Sequence, residues 1–171
     1  MKYKIITVCI LCLFTQFNKA QKVTTLEEYQ AVVDSIIPLV TCAVQDTNLY
    51  KGKPLSEFVK RLKQCNAEIV IAWFSETDNK VYKEHVYGIR LMFTTQEFMD
   101  FSIMYLLSQP SIFIRFEGSK PWNEASELHR KCQNYFTKEV EEFYSDAIIQ
   151  SIKIFIPDDI IAPHMRDQGK K

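Results

Sequence analysis

The sequence predicts an α+β fold: one four-stranded, mainly antiparallel sheet with helices packed on one of its faces. Three observations predict it. The hydrophobic period switches between about 3.6 and about 2 residues along the chain, which intersperses helices with strands. The first two strand-like runs are joined by a short polar stretch, which implies antiparallel pairing. Glycine is scarce, with four in 171 residues, so loops that wrap a nucleotide in glycine are not expected. The element order reads α-α-β-β-α-β-α-β, in one domain over residues 21–157. Apolar, aromatic and sulfur residues make up 47% of the chain, enough for a sizeable core.

Thr25-Leu26-Glu27-Glu28 opens the first helix as a capping box, a hydroxyl followed three residues later by a Glu. Leu26, Tyr29, Val32, Val33 and Ile36 then recur at helical spacing. Pro38 is expected to end or kink this helix. Leu39 to Gln45 fits either a second helical piece or a short strand, and Asp46-Thr47-Asn48 reads as a turn. The next stretch, Lys51-Gly52-Lys53-Pro54-Leu55-Ser56, resembles the end of a phosphate-binding loop. Such a loop needs a glycine five residues before its Gly-Lys and a hydroxyl after the Lys. Thr47 and Pro54 occupy those positions. The segment reads instead as a helix start: Gly52 permits a positive φ, and Pro54 suits the first helical position. Leu55, Phe58, Val59 and Leu62 form the apolar face of that second helix.

Ile69 to Phe74 is the first expected strand and Tyr87 to Phe93 the second. Ser75 to Lys80 forms the turn region between them, and Val81 to Val86 leads into the second strand. Thr94-Thr95-Gln96-Glu97 reads as another capping box, opening a helix over Phe98 to Leu107. Pro110 precedes the third strand, Ile112 to Phe116, and Gly118 and Pro121 make a turn. Asn123 is placed to cap a long helix whose face runs from Ala125 through Leu128, Cys132, Phe136 and Val140 to Phe143. Ile148 to Ile156 is the last strand, and residues 158–171 are a polar tail. Over residues 50–93, the Gly-Lys-Pro-Leu-Ser start, a strand and then Tyr87-Gly88-Ile89-Arg90-Leu91 form a pattern similar to one in small uncharacterised exported proteins of bacteria. That resemblance implies no known activity.

The first twenty residues have the layout of a secretory signal peptide. Lys2 and Lys4 precede an apolar run from Ile5 to Phe14, and a polar stretch ends at Ala20, after which cleavage is expected. The run is too short to cross a bilayer, which takes about 20 apolar residues, so no stable membrane span is expected after processing. Val8 before Cys9 and Leu11 before Cys12 argue against lipidation. Loss of residues 1–20 removes three lysines and no acid, leaving 18 basic and 21 acidic residues and a net charge of −3. A mildly acidic domain lacks the basic footprint that nucleic acid requires. Three cysteines survive: Cys42, Cys65 and Cys132. Export permits a disulfide, and three thiols allow one bridge in three pairings, or none.

Catalytic motifs are sparse. His129 and Cys132, three apart on the expected long helix, are too few for a zinc site, and Cys132 lies on its apolar side, unlike an activated thiolate. The acid pairs Glu27-Glu28, Glu141-Glu142 and Asp158-Asp159 read as solvated faces. No cofactor and no metal are expected. Strand alternation carries the functional reading. It places Ile71, Trp73, Ile89, Leu91, Ile112, Ile114, Ile152 and Ile154 on one wholly apolar face, beneath the helices. The other face collects Phe74, Arg90, Met92, Phe113, Arg115, Lys153 and Phe155, an aromatic and cationic mixture typical of binding surfaces. The expectation is an exported, non-catalytic module that binds a protein or an anionic ligand with this second face. The competing expectation for the face is that the first helix or the C-terminal tail covers it. The alternative function is a small extracytoplasmic hydrolase.

Overall fold

The computed structural model describes residues 23–77 and 84–157. The expected signal peptide, the C-terminal tail with Asp158-Asp159, and residues 78–83, the end of the expected turn region and the start of the lead-in to the second strand, lie outside the described residues. Helix α1 spans Leu26–Val44 and α2 Leu55–Gln64, with a short 3-10 turn at Thr47–Tyr50 between them. Strands β1 (Ile71–Thr77) and β2 (His85–Met92) precede α3 (Gln96–Met104) and β3 (Ser111–Pro121). Helices α4 (Trp122–Lys131) and α5 (Lys138–Tyr144) lead to β4 (Ile149–Phe155). The four strands pair in sequence order, β1-β2-β3-β4, and every neighbour is antiparallel. This is the expected α+β architecture.

The local chemistry explains the boundaries. Thr25 and Glu28 form the reciprocal capping box of α1. The helix then continues through Pro38, which costs it the amide hydrogen bond of that residue. The extension repays this loss: it buries Val40 and Ala43 and carries Cys42 to Cys65, with which it forms a disulfide. The cap of α3 is Thr95, whose hydroxyl accepts from the Phe98 amide, rather than Thr94. The expected long helix from Asn123 to Phe143 is two helices. Gln133 and Asn134 both take positive φ (52° and 62°), and Thr137 caps the second piece. The break lets Phe136 donate its amide to the Val70 carbonyl and Asn134 accept from the Ala72 amide, along the outer margin of β1. At the opposite margin, Gly52 donates to the Ile149 carbonyl and Ile149 donates to that of Lys53. The Gly-Lys-Pro segment is thus both the start of α2, with Pro54 as its cap, and a short partner for β4.

The main core lies between one sheet face and the helices. Phe58, Leu62, Ile89, Leu91, Ile112, Ile114, Val140 and Tyr144 are all fully enclosed there. A second cluster joins the N-terminal half of α1 to α3: Tyr29 stacks on Phe98 with centroids 4.9 Å apart, and its hydroxyl donates to the Ser108 carbonyl. Burial pushes the Tyr29 phenol up to about 12, so it remains a donor. A third cluster, Ile71, Met92 and Met99, seats α3 on one end of the opposite sheet face, so the helices do not all pack on one face as expected; the apolar ends of β1 and β2 on that side draw α3 onto it.

Three helices end in the same hydrogen-bonded cap, in which one residue turns left-handed. At the end of α2 that residue is Asn66 (φ 57°), and at the end of α4 it is Gln133 (φ 52°). At the end of α3 it is Leu106 (φ 54°), closed by Leu107 donating to the Ser102 carbonyl at 2.8 Å. A left-handed leucine costs about 1 kcal/mol relative to glycine. Leu106 recovers none of this by burial, since 70% of it is exposed.

Candidate functional site

The strand register defines two sheet faces. On the helix-covered face, Ala72, Leu91, Ile112 and Ile154 lie in one cross-strand row, and Phe74, Ile89, Ile114 and Ile152 in the next. On the other face, Ile71, Met92, Ser111 and Phe155 form one row, and Trp73, Arg90, Phe113 and Lys153 the next. This corrects the expected grouping at β1. Phe74 stands on the core side, with His129 and Trp122 as ring neighbours, and Trp73 takes its place beside Arg90. The physical reason is that β1 is apolar on both sides. Its alternation cannot say which side is inward, and a one-residue slip inverts the whole set.

The remaining six residues of the expected site share the second face but differ in role. The Phe113 ring lies on Gly88, so close that a Cβ there would stand 2.9 Å from it, and this contact leaves Phe113 only 8% exposed. Met92 is buried against α3. Arg115 and Lys153 are exposed, further along the face. Arg90 reaches diagonally across small Ser111, and its guanidinium sits 4.9 Å from the centroid of the Phe155 ring. Neither Arg90 nor Lys153 has a carboxylate partner among the described residues. The first helix does not cover this face, because its N-terminal half packs on α3 instead.

Arg90, Met92 and Phe155 line a cleft of about 370 Å³ between the sheet and the C-terminal part of α3. Trp73, Met99, Ile103 and Leu107 complete its apolar walls, with Ser108, Gln109 and Ser111 as polar points. No acid lines it. The buried indole N–H of Trp73 has no acceptor among the described residues. An apolar cleft with one stacked, acid-free guanidinium suits a group that is apolar with a carboxylate attached. A groove of about 440 Å³ beneath α2 contrasts with it: there Lys63 is neutralised by Glu141 at 2.6 Å. Sequence reading missed Trp73, which depended on the inverted register, and the α3 residues, which tertiary packing alone brings to the sheet.

The other candidates fall elsewhere. His129 is 1% exposed, and its Nε2 lies 3.1 Å from the Tyr144 hydroxyl. Burial pushes its imidazole down and the Tyr144 phenol up, so both stay neutral. The Cys132 sulfur accepts from the Thr137 hydroxyl and makes no pair with His129. No group of three or more potential metal ligands occurs among the described residues, and none of their helices is long and apolar enough to cross a membrane. Comparison of the chain with protein-family models, curated proteins and solved structures gave no match.

Proposed function

We propose that this protein is an exported, non-catalytic binding module whose open sheet face recognises an apolar segment carrying a carboxylate. One observation carries the reading: Arg90, stacked on Phe155 and without an acid partner among the described residues, borders a mainly apolar cleft that none of the described acids lines. An arginine held in place by an aromatic ring keeps its N–H edges available for bidentate pairing with an incoming carboxylate. The Cys42–Cys65 disulfide supports the export half of the reading, since such bonds persist in oxidising compartments.

A random peptide library displayed on phage and selected on the folded protein tests the binding half. Enriched peptides should combine Asp or Glu with apolar side chains and should lose binding to the Arg90→Glu variant. Enrichment without an acidic signature, or equal binding to Arg90→Glu, overturns the reading. Export is tested by the mass of protein recovered outside the cytoplasm, which should correspond to a chain beginning at Gln21.

A further inference from the structure

The end of α3 breaks two local rules at one place. Leu106 holds a left-handed conformation that the other two caps of this type give to polar residues, and it does so in solvent. Ile103 (59% exposed), Met104 (73%) and Tyr105 (37%) precede it, making four consecutive exposed apolar residues. The cleft does not explain them, because Met104, Tyr105 and Leu106 do not line it. A strained and exposed apolar tip points to contact with a surface larger than a small ligand.

The composition of this ridge identifies the surface. Glu97, Asp100 and Met104 recur along the outer side of α3 at helical spacing, so the ridge is convex, apolar at its end and acidic behind. The cleft next to it has the opposite character: concave and mainly apolar, with Arg90 in its lining, Lys153 nearby and no acid among the described residues. Ile103 belongs to both the ridge and the cleft wall. An isologous interface requires complementary features side by side on one surface, so that two copies exchange them about a two-fold axis. We infer that the partner of this face is a second copy of this chain, each copy laying its Ile103–Leu106 tip in the other's cleft, with Asp100 and Glu97 facing Arg90 and Lys153. This rests on the binding-face reading and names its occupant.

Sedimentation equilibrium of the purified protein from micromolar to near-millimolar concentration tests it. The wild type should run at twice the chain mass. Arg90→Glu and Asp100→Arg should each weaken the dimer at least about tenfold, and the double variant should regain most of that loss through the swapped pair. Leu106→Gly relieves the left-handed strain, so the monomer should stay folded, and the variant should weaken association. A dimer indifferent to all three single substitutions overturns the inference. So does a wild type that stays monomeric throughout. If that monomer still selects Arg90-dependent peptides from the displayed library, only the second-copy assignment falls; if it selects none, the binding-face reading falls with it.

Discussion

Phe74 meets His129 edge to face, with ring centroids 5.2 Å apart and planes at 81°. This contact holds Phe74 in the core layer and removes it from the binding face. Truncating it by Phe74→Ala should therefore cost stability, at most about 3 kcal/mol, the low end for a Phe→Ala change because the ring is half-buried. Phe155→Ala, at a position 44% exposed, should cost less than about 1 kcal/mol, most of it the lost stacking with Arg90. Urea unfolding of the two variants checks the assignment. Equal losses, or the reverse order, would place Phe74 back on the surface.

His129 makes stability depend on pH. Burial lowers its folded-state pKa below the ordinary 6.5, so the unfolded chain takes up a proton before the native one does. Its contribution is fully present above about pH 6.5 and declines as the pH falls from there toward the lowered value. The slope from this one residue is at most about 1.4 kcal/mol per pH unit. His129→Gln keeps a hydrogen-bonding group near the Tyr144 hydroxyl and should flatten the denaturation free energy between pH 6.5 and 5 relative to wild type. Parallel curves for the two proteins would contradict the assignment.

The Cys42–Cys65 disulfide ties the last turn of α1 to the end of α2 across the Gly52 hinge, with a sequence separation of 23. Closing a loop of that size stabilises by about 3 kcal/mol through the unfolded chain. Replacing both cysteines by Ala should lower the melting temperature by roughly 10 °C for a chain of this size. Adding a reductant to wild type should produce a similar drop, and Cys132→Ala should not. A melting curve insensitive to reductant would show that the two thiols are not joined in solution.

Gly88 is needed for its missing side chain. A Cβ there would lie 2.7 Å from the Ile114 carbonyl oxygen, a backbone atom fixed in the sheet, as well as against the Phe113 ring. Gly88→Ala should destabilise by about 1–3 kcal/mol, the usual range for overpacking. Trimming the ring by Phe113→Leu should not rescue it, because the backbone contact remains. Thermal unfolding of the single and double variants distinguishes the two sources of strain.

Much of the fold was legible in local signals. The capping box at Thr25 and Glu28 and the single inward face of α2 depend on neighbours in sequence, and both stand as expected. Other features depended on distant partners. Helix α1 runs past Pro38 because Val40, Ala43 and Cys42 have destinations in the core. The α4–α5 break occurs because Asn134 and Phe136 have backbone partners on β1. The site divides in the same way. Arg90, Met92 and Phe155 fall in the cleft because the patterns of β2, β3 and β4 are unambiguous. Trp73 and Phe74 exchange places because the Ile71–Phe74 run is apolar at every position, so only its pairing with β2 orients it.

The short backbone pairings at the two sheet margins, Gly52–Lys53 on β4 and Asn134–Phe136 on the β1 side, have a consequence for assembly. A neighbouring molecule cannot add a strand where those positions are already filled. Strand addition is therefore obstructed at the start of each edge strand, at Ile149 on β4 and at Val70 and Ala72 beside β1.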